Sequence, residues 1–277
     1  MQQIKHFTKF LPFLLGISLL FCSCEEEMLE LSPEQISILN YGDSIQLSAN
    51  LDVDWILSDS TAGSISAEGL FRAGNTSGSY LLEAVNKANP DDRIERKIFV
   101  SNRADDLNPL LDGGHIIYLR HAIARTGSDL FDRGPEGWHL SCSSDTARQL
   151  SPEGFTQAQD LGASFRNLEI PLEDTVYVSE YCRCIQTVEE LEMDIPFITS
   201  KDITFFVYGE QSRHTKTLAF INSFSPAEKN VLLVSHSFGP GNTYPQPQQG
   251  YAAIFRKGPG EPEFVALIRD DEFILLK

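Results

Sequence analysis

Three apolar runs in the C-terminal half of the chain each stop at a cation or an imidazole, with no alternation of polar residues before the stop. They are "HIIYLRH" (115–121), "TVYVSEYCR" (175–183) and "NVLLVSH" (230–236). An unbroken stretch such as Ile116, Ile117, Tyr118 and Leu119 suits a strand covered on both faces, the condition of a parallel sheet with helices on each side. The stretch "SPEGFTQAQDLGASFRNL" (151–168) supplies such a helix. Ser151 followed by Glu153 and Gly154 marks its start, and Phe155, Ala158, Leu161 and Phe165 recur at helical spacing, which makes them core. Strands alternating with helices predict an α/β domain. In open parallel sheets ligands bind beyond the carboxyl ends of the strands. Arg120 and His121, Arg183, and His236 are therefore expected at one edge. Guanidinium forks grip phosphate oxygens in pairs, and an imidazole nitrogen can attack phosphorus and carry the phosphoryl group.

Four segments in chain order, "YLRHAIA", "ARQLSPEGFTQAQDLGASF", "IPLEDTVYVSEYCRCIQTVEE" and "VLLVSHSFG", resemble the histidine phosphatase superfamily over roughly residues 114–257. The resemblance implies a three-layer, mostly parallel sheet of the phosphoglycerate-mutase-like type. It also implies hydrolysis of a small phosphate monoester through a phosphohistidine, with water as acceptor and no metal or organic cofactor. Carried over by position, His121 is the phosphorylated nucleophile, Arg120 and Arg183 are phosphate clamps, and His236 is the second imidazole. Ala122 stands where many members have Gly. The acid-bearing insertion is abbreviated, leaving Asp129, Glu180 and Glu210 as acid candidates by location only. Ser237 follows His236 where the acid-phosphatase branch has Asp. These departures point to a small phosphatase rather than a mutase. Arg125 is a candidate to extend the phosphate cradle, although a solvated loop arginine fits the same position. Arg148 reads as structural, tying a loop to the following helix. His115, His139 and His214 carry no motif, and Gly239 and Gly241 read as turn glycines. The competing class is a surface binding protein that keeps the pocket for phosphorylated ligands without turnover.

The first half of the chain has another texture. Lys5 and Lys9 precede the apolar run "FLPFLLGISLLF" (10–21), and "FCSCEEE" follows, resembling a bacterial lipoprotein leader. Residues 1–23 are read as the signal peptide and Cys24, after the small Ser23, as the lipidation site. Residues 24–30 are read as an acidic tether whose glutamates resemble a surface-export signal. The expected location is the outer membrane, lipid-anchored and facing outward, with a periplasm-facing anchor as the alternative. Residues 31–102 carry short alternating runs such as "SIQLSANL", "YLLEAV" and "RKIFVS", punctuated by Gly63, Gly69, Gly74 and Gly78. They resemble a bacterial immunoglobulin-like sandwich of the second group, with Trp55 in its core and a surface polymer as a possible partner. Residues 103–113 read as a polar linker, and 114–277 as the α/β domain.

A net charge of −17 excludes a nucleic-acid groove, which needs clustered Lys and Arg, but leaves room for a local cationic pocket. Outside the cytoplasm, thiols that meet are oxidised. Cys142 and Cys182 are the expected disulfide, bracing the turn that carries Arg183; Cys142–Cys184 is the rival pairing. No cysteine–histidine spacing suggests a zinc site.

Overall fold

The structure, a computed structural model, describes residues 28–34, 37–127, 129, 136–208, 213–239 and 243–277. The leader with Cys24, and likewise Glu210, Gly241 and the side chain of His214, lie outside the described residues.

The N-terminal region is all-β. Its strands are β1 (Leu31–Ser32), β2 (Ser44–Gln46), β3 (Ser48–Ala49), β4 (Val53–Leu57), β5 (Gly63–Ile65), β6 (Leu70–Ala73), β7 (Gly78–Asn86) and β8 (Arg93–Val100). They form antiparallel sheets in the orders β2-β6-β5 and β4-β7-β8, with a short β1-β3 pair. Alternation does the work here. Phe71 and Ala73 of β6 are buried while Leu70 and Arg72 face out, and Tyr80, Leu82 and Ala84 of β7 alternate in the same way. The inward residues of the two three-stranded sheets share one core, with Trp55 packed partly buried against it.

The segment read as a linker is a helix. Helix α1 (Ala104–Leu111) buries Ala104, Leu107 and Leu110, which recur every three residues and so share one face. Its first turn holds Asp105 and Asp106, favourable at the positive end of the helix dipole. The polar composition that suggested a linker belongs to the opposite face. This helix joins the two regions: the Asn108 side chain both donates to Ile38 O and accepts from Ile38 N, each at 2.8 Å. Arg103 reaches Glu272 at 2.7 Å from just before it.

The C-terminal region is α/β. Its strands are β9 (Ile116–Arg120), β10 (Val176–Val178), β11 (Phe197–Thr199), β12 (Val231–Ser235), β13 (Ala252–Arg256) and β14 (Glu263–Ile268). The sheet order is β11-β10-β12-β9-β13-β14. The first four are parallel, and β13 and β14 add an antiparallel edge. Helices α2 (Pro152–Asn167), α3 (Cys182–Glu190) and α5 (Asp270–Ile274) belong to this region, as does α4 (Arg213–Ser223). The unbroken apolar runs of β9 and β12 are explained by two covered faces. Ile117, Leu119, Leu232 and Val234 pack with Leu161 and Phe165 of α2. Ile116, Tyr118, Val231 and Leu233 pack with Leu218 and Ile221 of α4. Helix α2 starts as the sequence predicts, with Ser151 Oγ accepting from Gly154 N at 3.1 Å. Gly154 is required for packing: a Cβ there would lie 1.9 Å from Ile123 O, in the loop that leaves β9. Among the described residues no helix is long and apolar enough to cross a membrane.

Candidate active site

Register brings the expected residues together. Arg120 pairs with Ser235 and Leu119 with Val234 across β9 and β12, while Val178 of β10 pairs with Val234. The ladder runs one residue past each strand: His121 N donates to Ser235 O and Ser179 N to Val234 O, both at 2.9 Å. His121, Ser179 and His236 therefore leave the sheet side by side. Arg183 arrives differently. It is the second residue of α3 rather than part of a turn, so its position depends on how that helix docks.

The arginine organises the site. Its buried guanidinium donates from Nη1 to both oxygens of Asp129, each at 3.0 Å. Its Nε donates to His121 Nε2 at 3.1 Å, and its Nη2 to His236 Nδ1 at 3.3 Å. The Tyr181 ring lies 4.5 Å from its carbon centre. A guanidinium has no lone pair to offer, so both imidazole nitrogens facing it are acceptors. His121 then carries its proton on Nδ1, which donates to Ala122 O at 2.8 Å. His236 carries its own on Nε2, 2.9 Å from Ser179 Oγ. The two rings stand 5.3 Å apart. Burial, and then the charge on Arg183, hold the His121 imidazole well below the ordinary value of 6.5. The hydrogen bond to Ala122 opposes this, and Arg120 and Arg148 add to it. Such a histidine presents a neutral Nε2 lone pair at physiological pH.

These groups open on a cavity of about 190 Å³, lined by Arg120, His121, Asp129, Arg148, Tyr181, Arg183, Phe205, Phe206, His236 and Ser237. Among the described residues three arginines face one carboxylate there, in a chain of net charge −17. That is the local cationic pocket a phosphate needs. Arg120 is oriented by an Nη1 hydrogen bond to Pro247 O at 2.9 Å.

The structure thus unites Arg120, His121, Arg183 and His236. Asp129 joins them, but it is committed to Arg183 and is no free acid. Glu180 does not line the cavity; it accepts from Tyr208 and lies 3.8 Å from His139 Nε2. Arg125 is exposed and lines a neighbouring cavity with Thr126, Asp145 and Arg148 rather than the main one. This is the position of a solvated loop arginine, the chain having already turned outward by that residue. Arg148 is the residue the sequence reading undervalued. It does tie the loop, donating to Arg125 O from Nε at 3.2 Å and Nη2 at 3.1 Å, yet it also lines the main cavity. His115 and His139 lie elsewhere.

Cys142 and Cys182 form a disulfide with Cα atoms 5.0 Å apart, and Cys184 is free and buried beneath His236. Burial pushes the Cys184 thiol up to about 12, so it is inert at neutral pH. Among the described residues no group of three or more His, Cys, Asp or Glu is arranged to hold a metal ion.

No protein-family model matches the chain, and no curated protein matches it. Solved structures do resemble it. The protein histidine phosphatase SixA complexed with tungstate has 19% identity and a TM-score of 0.41, over 57% of this chain and 97% of that one. A putative alpha-ribazole-5'-P phosphatase from Escherichia coli has 14% identity and a TM-score of 0.39, over 57% and 98%. A phosphoserine phosphatase from Entamoeba histolytica, in complex with 3-phosphoglyceric acid, has 13% identity and a TM-score of 0.39, over 57% and 98%. These neighbours are phosphatases, similar to the chain over a little more than half of its length.

Proposed function

We propose that the α/β region hydrolyses phosphate monoesters through a phosphohistidine at His121. One observation carries the reading: a single buried guanidinium, Arg183, holds the lone pairs of His121 Nε2 and His236 Nδ1 inside a cavity lined by three arginines. A phosphoryl group entering the cavity takes over the hydrogen bonds of Arg183, with Arg120 and Arg148 gripping the remaining oxygens. The His121 Nε2 lone pair attacks phosphorus, and the N–P bond forms as the bond to the leaving oxygen breaks. The Nδ1–H bond to Ala122 O stabilises the positive charge the ring acquires. Water then attacks phosphorus, the N–P bond breaks with its electrons returning to Nε2, and inorganic phosphate leaves. Asp129 is bound to Arg183, so no free carboxyl group lines the cavity among the described residues. Leaving groups that are stable as anions react fastest, and aryl phosphates exceed alkyl phosphates.

Acid-quenched trapping with a radiolabelled aryl phosphate tests the step. An acid-labile phosphoenzyme is expected in the native protein and none in His121→Ala. Undiminished label in that variant would place the nucleophile elsewhere. A native protein that binds phosphate but never labels would favour the binding-protein alternative.

The setting is proposed as extracytoplasmic, with Cys24 carrying lipid at the outer membrane and the N-terminal β-region, immunoglobulin-like in its sequence pattern, as a stalk. The leader pattern and the Cys142–Cys182 disulfide support this. Labelling with a fatty-acid analogue should be lost in Cys24→Ala; retention would move the anchor or remove it.

A further inference from the structure

At the rim of the cavity stands a side chain that phosphoryl transfer does not require. Phe206 lines the cavity, yet its surface is 58% exposed. Its φ is +70°, the left-handed region that a side chain with a Cβ avoids. The residues before it are held in place. Ser235 Oγ donates to Ile203 O at 2.8 Å. Thr204 Oγ1 accepts from Glu180 N at 2.8 Å and donates to Ser200 O at 2.7 Å. Tyr181 OH donates to Phe205 O at 2.6 Å. The Phe205 ring is buried, with its centroid 5.3 Å from that of His236. With Ile203, Thr204 and Phe205 each fixed, the backbone turns at Phe206 and sets its ring at the lip. Strain over-determined in this way, beside a binding cavity, is a mark of function. A glycine would relieve the backbone and an asparagine would tolerate it, and neither would expose an apolar ring.

We infer that Phe206 is a stacking platform for the leaving group, and that the substrate is the phosphate ester of a planar aromatic alcohol. The inference rests on the cavity being the phosphatase site proposed above, and it deepens that reading by naming the substrate class. An aromatic face favours another aromatic in offset or edge-to-face contact over an aliphatic group of like size. Among the described residues no free carboxyl group lines the cavity, which points the same way by a separate route, because phenolate leaves without a proton where alkoxide does not.

Leaving-group acidity and stacking are separated by comparing 1-naphthyl phosphate with the phosphate of a fluorinated aliphatic alcohol of matched acidity. Phe206→Ala should raise KM for the naphthyl ester about three- to tenfold with kcat little changed, and leave the fluoroalkyl ester unaffected. Phe206→Gly, which suits the backbone, should do the same, and Phe206→Trp should restore the preference. Equal losses on both esters, or none on either, would overturn the platform. Calorimetric titration of the native protein and Phe206→Ala with phenylphosphonate and methylphosphonate reads the platform without turnover. The native protein should bind the phenyl compound more tightly, and the variant should bind the two alike. Equal native affinities would sink the platform even in an active enzyme. A persistent phenyl preference in a protein that hydrolyses nothing would leave the platform standing and defeat the phosphatase reading alone.

Discussion

Strand β9 has a buried histidine at each end, and the two are wired alike. His115 places Nδ1 2.7 Å from Gly113 O, and its Nε2 accepts from Arg256 Nε at 3.0 Å. His121 places Nδ1 2.8 Å from Ala122 O, and its Nε2 accepts from Arg183 Nε at 3.1 Å. Burial lowers the pKa of both. Tautomer, burial and arginine partner therefore do not make a catalytic histidine. The difference lies in what the arginine also holds. Arg183 shares its fork with Asp129 and His236 and faces a cavity at the carboxyl edge, where neighbouring parallel strands deliver side chains together. Arg256 sits on the antiparallel strand β13, and the backbone N–H of His115 is taken by Asn230 Oδ1 at 3.1 Å, so the amino end is a structural clasp. His115 holds the entry to the strand; His121 faces the cavity.

Paired substitutions test that contrast, and the largest effect is expected at the proposed nucleophile. His121→Ala should lower kcat/KM for an aryl phosphate by about 10⁴-fold or more, since the covalent route is gone. His115→Ala should leave kcat/KM within about twofold while destabilising the fold by about 1–3 kcal/mol, chiefly the cost of leaving the buried Gly113 carbonyl without its partner. Comparable activity losses in the two variants would erase the distinction.

Arg183→Lys comes next. An ammonium cannot hold two imidazoles and a carboxylate in one plane, so kcat/KM should fall by about 10²–10³-fold. Arg256→Lys should leave turnover unchanged. Arg148→Ala tests the overlooked arginine and should raise KM about tenfold, as the loss of one charged contact to phosphate. Thermal unfolding of each variant separates binding effects from loss of fold.

The disulfide acts on the carboxyl end alone. Paired Cys142→Ser and Cys182→Ser should cost about 3–4 kcal/mol of stability, from the closed loop between them. A loss below about 1 kcal/mol in denaturant titration would make the bridge incidental.

The smallest expected effect is in pH. The folded pKa of His121 is depressed, so its contribution to stability is complete above the ordinary 6.5 and is lost as pH falls from there toward the lower folded value. The acid limb of kcat/KM, which reports the free enzyme, should accordingly lie below 6.5. A limb at or above that value would mean that His121 is solvated and not held neutral.

The sequence by itself determined the class of the C-terminal fold and the three residues, Arg120, His121 and His236, that its strands carry to the edge, while the place of Arg183 was left to the docking of α3. Unbroken apolar runs require two covered faces, and a strand ending in Arg-His or His can place those heads only at its carboxyl end. The Ser151 cap and the core face of α2 were legible for the same reason, because they depend on local spacing. Tertiary structure alone decided the rest. Helix α1 was hidden in a polar segment because a short amphipathic helix buries only three residues, and their meaning appears once they meet a core. Asp129 lies 54 residues from Arg183 in the chain, and no local pattern announces that the one neutralises the other. Arg148 and Phe206 entered the cavity through loops whose course is set by contacts distant in sequence, so their chemistry could be read only where the chain had brought them.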